Sequence, residues 1–206
     1  MQLHFDAERH QYTLNGRVVP SVTQVLGQVV DFSMVPPDIL ERKCAIGQAL
    51  HQAIALDHAD DLDHDSLDAS VLPYFAAWQK FLTEVGPRLF IKAAERPLGS
   101  LLYQYGVTPD IWGMVNGRRA VIELKSTAAI HPTVALQTAA QEQAITECCQ
   151  WPITSEGAVD RFALQLQPSG NYRVHNFTSR GDFAVFLALR SVWGWRNSHN
   201  LGDWYK

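Results

Sequence analysis

Cysteine is scarce in this chain: among its 206 residues only Cys44, Cys148 and Cys149 carry a thiol. An odd count with two adjacent members makes a poor disulfide framework and points to a reducing compartment, the cytoplasm. It also falls short of the four thiolates an iron–sulfur cluster takes, so no such cluster is expected. No apolar run approaches the roughly 20 residues a membrane-spanning helix needs, so no membrane partner is expected. The opening MQLHFDAERH holds neither a basic start nor an apolar stretch, and no signal peptide is expected. A G-x-x-x-x-G-K-[ST] motif is absent, which argues against an attached helicase. Charged residues make up only 18% of the chain against 47% hydrophobic. Global disorder is thereby excluded, and the length suits one domain with a real core.

The net charge of -4 looks wrong for a nucleic-acid binder until its distribution is considered. Residues 57–68, DHADDLDHDSLD, hold six of the 21 acids, leaving 15 against 17 bases in the rest. The bulk of the chain is therefore mildly basic. His58 and His64 give this run the look of a metal site, but its Asp residues follow no order, and a solvated loop between helices is the expectation.

Patterning along the chain gives the fold. Leu3-His4-Phe5 and Tyr12-Thr13-Leu14 are short strand-like pieces, and Asn15-Gly16 signals a turn. Ser21 is a plausible N-cap for a helix with Val22, Val25, Leu26 and Val29 on one face. Helices are expected at 38–56 and 69–85, the second stopped by Gly86-Pro87. Three strand-like runs follow, LFIKAAERPL, LLYQYGVTPDIWGMV and RRAVIELKST, and read as an antiparallel meander. Then come a helix over 132–149, strands RFALQLQ and YRVHNF about a Pro168-Ser169-Gly170 turn, and a helix over 181–197. The sum is a single α/β domain over 1–206 with a central mixed β-sheet flanked by helices. Residues 1–87 form an N-terminal hairpin and helical extension, 88–197 the core and 198–206 a tail.

The chemistry concentrates in Thr108-Pro109-Asp110 and, twelve residues on, Glu123-Leu124-Lys125. In a strand Glu123 and Lys125 point one way while Ile122 and Leu124 point the other. Two carboxylates and an ammonium then converge. Such carboxylates repel, and a divalent cation with a taste for hard oxygen ligands, Mg²⁺ or Mn²⁺, relieves the repulsion. Charge on one face of an otherwise apolar strand argues for a function, since unpaired burial is costly.

The run YGVTPDIWGMVNGRRAVIELKST resembles the core of the PD-(D/E)XK nuclease superfamily. Pro20-Ser21-Val22-Thr23-Gln24-Val25-Leu26, the Gly47…His51 spacing and Gln137…Gln141 resemble motifs of its RecB/Cas4-like and phage exonuclease branch, in the same order over roughly 18–197. The resemblance implies a restriction-endonuclease-like fold and a Mg²⁺- or Mn²⁺-dependent deoxyribonuclease, an exonuclease acting in phage, prophage or bacterial DNA recombination or repair. Asp110 and Glu123 become metal ligands, joined by His51 and the backbone carbonyl of Leu124, with Lys125 as the catalytic lysine. Glu95, on the strand before that of Asp110, becomes a supporting or second-metal residue, the alternative being a surface salt bridge, and Ser126, Gln137 and Gln141 become substrate-side residues. Gln141 stands where the family has Tyr, which removes an aromatic face. Arg42, Lys43, Arg118 and Arg119 are candidate phosphate contacts, the last two at a hairpin tip. Trp193, Trp195 and Trp204 are read as helix core rather than base-stacking residues. DNA is the expected partner, with a recombination protein or a second copy of the chain as further candidates. The alternatives are a structure-selective or restriction-type endonuclease, or a non-catalytic DNA-binding module.

Overall fold

A computed structural model describes residues 2–148, 150–151 and 157–201. Cys149, Trp204 and the end of the expected tail lie outside them. Strands β1 (Leu3–Asp6), β2 (Gln11–Leu14) and β3 (Arg17–Val19) form an antiparallel sheet. Asn15 and Gly16 turn β2 into β3 with φ of 48° and 81°, the positive pair that a tight hairpin needs. Ser21 caps α1 (Val22–Leu26) as expected. Its Oγ accepts from the Gln24 N–H, and the Gln24 side chain accepts in return from the Ser21 N–H. That helix ends before Val29, which is exposed instead of sharing its apolar face.

Helix α2 (Pro37–His58) starts at a proline, and α3 (Leu72–Val85) stops at Gly86, whose φ of 52° no ordinary helix continues. The acidic run begins inside α2. Asp57 accepts hydrogen bonds from Trp78 and Gln79 on α3 and Leu62 and Leu67 pack against the core, while the other Asp residues and both His are exposed.

Strands β4 (Leu89–Ala94), β5 (Leu98–Ser100), β6 (Tyr105–Val107), β7 (Ile111–Val115) and β8 (Arg118–Lys125) follow. They do not make one uninterrupted meander. β5 and β6 pair as a separate hairpin, and β4 pairs directly with β7. The reason is packing. A Cβ on Gly106 would lie 2.0 Å from Cγ of Tyr12 and one on Gly99 2.5 Å from a Leu14 methyl, so these glycines admit the N-terminal sheet against the hairpin.

Helix α4 (Thr133–Glu147), strands β9 (Asp160–Leu166) and β10 (Tyr172–Phe177) and helix α5 (Asp182–Ser198) complete the chain. The central sheet runs β10-β9-β8-β7-β4, with β8 and β9 parallel and the other pairs antiparallel. This is the α/β domain with a mixed sheet that the patterning implied. Strand β8 divides the core. Ala120, Ile122 and Leu124 pack with Leu50 and Ile54 of α2 and Phe75 and Trp78 of α3. Val121 packs with Ala140 and Ala144 of α4 and Phe186 of α5. Glu123 and Lys125 share the face of Val121, under α4. Among the described residues, no helix is long and apolar enough to cross a membrane.

Candidate active site

Five segments supply the site: the ends of β4, β7 and β8, and helices α2 and α4. Asp110 immediately precedes β7, and the register Ile111↔Ile122 places it opposite Glu123. It is 5% exposed, and its Oδ2 accepts from the backbone N–H of Leu124 at 2.7 Å. Its Oδ1 lies 3.3 Å from Nδ1 of His51, which reaches in from α2. The same nitrogen lies 3.2 Å from Oε1 of Glu95. Glu95 follows β4, whose register against β7 shifts between Ile91 and Ala93. It sits at φ 47°, and its N–H donates to the Asp110 carbonyl at 2.9 Å. A left-handed backbone costs a non-glycine residue about 1–3 kcal/mol, and such strain gathers at functional sites.

His51, Glu95 and Asp110 thus offer one nitrogen and two carboxylate oxygens, all within 4.8 Å of one another. A mixed imidazole and carboxylate set fits a divalent cation, and two hard oxygens keep Mn²⁺ and Mg²⁺ among those it suits. Burial lowers the proton affinity of His51, yet the Asp110 and Glu95 carboxylates outweigh it and hold the imidazole pKa well above the ordinary 6.5. Cation binding there must displace that proton.

Glu123, expected from the sequence as a further ligand, is not among the three groups that lie within 4.8 Å of one another. It is 1% exposed, and donors occupy both of its oxygens. Lys125 Nζ donates to Oε1 at 2.5 Å, Gln137 Nε2 to Oε1 at 2.8 Å and Gln141 Nε2 to Oε2 at 2.7 Å. Burial and the neighbouring Asp110 raise the Glu123 pKa against the pull of Lys125. Desolvation opposes the charge on Lys125, and Glu123 and Asp110 overcome it, so its pKa is raised. Gln137 and Gln141 lie one turn apart on α4, and that spacing puts both amides over Glu123. Leu124 joins through its N–H to Asp110. Glu95 stands beside His51 and Asp110 where the sequence led to the expectation of Glu123.

The other expected residues divide. Ser126 is half-buried, and its Oγ lies 3.7 Å from where a Gly47 Cβ would stand, so an alanine at 47 fits without a clash. Arg42 and Lys43 are exposed. Arg42 precedes His51 by nine residues, about two and a half turns, and points to the opposite side of α2, whereas Lys43 lies roughly 80° from it. Arg118 and Arg119 do not border the site. The Asn116-Gly117 turn opens β8 while Glu123 lies near its other end, about 17 Å along a strand rising about 3.3 Å per residue. Arg118 forms a two-pronged ion pair with Asp160 at 2.7 Å, and the Arg119 guanidinium lies 5.8 Å from the Trp151 ring centroid. Trp193 is packed into the core and Trp195 is 57% exposed beside His199. Cys148 donates to the Gly99 carbonyl, which packs the end of α4 on β5.

Two contributors had no local signal. Tyr12, 1% exposed on β2, bonds through its hydroxyl to Thr108 Oγ1 at 2.7 Å, two residues before Asp110. Its partner lies 96 residues away, and only Gly106, which admits the ring, hints at it. Gln165 of β9 is the other. No protein-family model and no curated protein matches this chain.

Proposed function

We propose that this protein is a metal-dependent deoxyribonuclease of the PD-(D/E)XK type, with His51, Glu95 and Asp110 as its cation ligands. The observation that carries the reading is the meeting of this trio with a buried Glu123–Lys125 pair through one strand end. Asp110 is bonded to the N–H of Leu124, the residue between Glu123 and Lys125. Nitrogen and oxygen donors, a fixed carboxylate and a lysine on adjoining strands suit hydrolysis of a phosphodiester.

A bound Mg²⁺ or Mn²⁺ would supply Lewis-acid polarisation of the phosphate and a more acidic water. The chain's own groups do the rest. Gln137 and Gln141 hold Glu123 in one orientation from α4, leaving it preorganised as a base or anchor beside the phosphate. Lys125, 23% exposed at its side chain, keeps its ammonium on Glu123 in the free protein and offsets charge on the phosphoryl group as the transition state forms. His51 gives up its proton so that the imidazole lone pair is available. Lys43, exposed on α2, is a candidate contact for the DNA backbone. Exonuclease action follows from the motif resemblance and a cytoplasmic setting from the few, odd-numbered cysteines, and both are part of the proposal.

The test is end-labelled linear single- and double-stranded DNA beside a closed circle, each with Mg²⁺, Mn²⁺ or EDTA. Metal-dependent release of nucleotides from linear DNA alone supports the proposal. Cutting of the circle converts it to an endonuclease, and metal-independent binding without cleavage removes the catalytic role.

A further inference from the structure

A strand as apolar as β9 gives no reason to bury a primary amide, yet Gln165 is 4% exposed between Leu164 and Leu166. The parallel register pairs it with Lys125, so the two side chains lie side by side on the face under α4. A buried amide left unsatisfied costs about 1–3 kcal/mol, and Gln165 satisfies all of its groups away from the strand ladder. Its Nε2 donates to the carbonyls of Thr127 at 2.8 Å and Ala128 at 3.0 Å. Its Oε1 lies 3.0 Å from Nε2 of His175 on β10. With both amide hydrogens on carbonyls, Oε1 must accept, so His175 carries a proton on Nε2.

The clamped carbonyls belong to the segment between β8 and α4. It leaves the sheet directly after Lys125, the last residue of β8, and Thr127, Ala128 and Ala129 are exposed. A strand end running into exposed chain is where pairing frays. The same segment leads to Gln137 and Gln141, the residues that fix Glu123. We infer that Gln165, oriented by His175, is a positioning residue: it pins the crossover after β8 and so sets Lys125 and the start of α4 around Glu123. The inference rests on the nuclease reading for its effect on turnover, but the clamp itself is measurable without DNA.

The variant is Gln165→Met, which keeps length and volume and removes the three hydrogen bonds. Amide exchange over 134–138, the first hydrogen-bonded turn of α4, is expected to quicken roughly tenfold in the metal-free protein, about 1.4 kcal/mol of local opening, while β7 and β9 stay protected. Mn²⁺ affinity at His51, Glu95 and Asp110 should not change. With DNA, kcat should fall on the order of 100-fold at unchanged KM, the scale expected for misplacing a reacting group by about 1 Å. His175→Phe, which leaves the amide in place without its anchor, should move exchange and kcat in the same direction by less. Unchanged exchange over 134–138 overturns the clamp, as does faster exchange spread evenly over the sheet. A raised KM at constant kcat overturns the positioning role. If the wild-type protein cleaves no DNA while the exchange result holds, the nuclease reading has failed and the clamp has not. If Gln165→Met does not fold, His175→Phe decides alone.

Discussion

Replacing Lys125 by Met separates the electrostatics of the site from its chemistry. Lys125 is the cationic partner of a carboxylate that is 1% exposed. Removing one partner of a buried pair costs about 3–5 kcal/mol because the other charge stays behind. Glu123 keeps the Gln137 and Gln141 donors, so the low end, about 3 kcal/mol, is expected. At roughly 2–4 °C per kcal/mol for a chain of this size, Tm should drop by roughly 6–12 °C. The loss must also depend on pH. Burial and Asp110 already raise the Glu123 pKa, and without Lys125 it rises further. A carboxyl whose folded pKa exceeds its unfolded value of about 4.3 binds protons preferentially in the folded state. Its destabilising effect therefore sets in as pH climbs past the unfolded value and is complete above the folded one. The deficit of Lys125→Met should be largest at high pH and shrink on acidification. Glu123→Gln combined with Lys125→Met removes the stranded charge and should recover more than half, a coupling on the order of 2 kcal/mol. Thermal unfolding in EDTA across a pH series reads all of this. A deficit independent of pH, or a double variant no more stable than Lys125→Met, would refute the reasoning; both variants should lose cleavage.

Three further outcomes are expected. In EDTA, His51 stabilises the fold while protonated between Asp110 and Glu95; with its folded pKa raised, this contribution is complete below about 6.5 and is lost as pH rises through the folded value. The Tm advantage over His51→Gln should shrink accordingly in alkaline buffer, and a gap that widens instead would contradict the carboxylate contacts. Tyr12→Phe removes the bond to Thr108 and should cost about 1 kcal/mol in chemical denaturation, with lowered cation affinity at Asp110; unchanged stability would discount the bond. Arg118→Ala breaks an exposed pair with Asp160, worth about 0–1 kcal/mol, and should leave the salt dependence of DNA binding as it was; a slope flattened by about one unit would return Arg118 to the phosphate path.

Local chemistry was legible in the sequence where its determinants are local. Ser21 and Gln24 spell a capping box within four residues, and the alternation of β8 puts Glu123 and Lys125 on one face before any fold is known. The spacing of Gln137 and Gln141 likewise puts both on one side of α4. What escaped depends on partners remote in the chain. Glu95 was named from the sequence, but its approach to His51 and Asp110 depends on a register shift and a left-handed backbone that no short pattern announces. Strands β5 and β6 are three residues each, and their departure from the main sheet depends on how Tyr12 and Leu14 meet two glycines. Arg118 looked available because its partner Asp160 lies 42 residues downstream.

The long helix α2 has a consequence for where the molecule yields first. Its buried residues are Leu50, Ala53 and Ile54, and the preceding three turns are mostly exposed. The helix also begins without a side-chain cap. Those early turns rest on their own weak propensity, while the later ones are anchored in the core. Unwinding from the N-terminus should therefore run down the helix and halt at Leu50, one residue short of His51. The imidazole sits on the first firmly held turn, so the approach side of the site is free to breathe while the ligand geometry stays fixed.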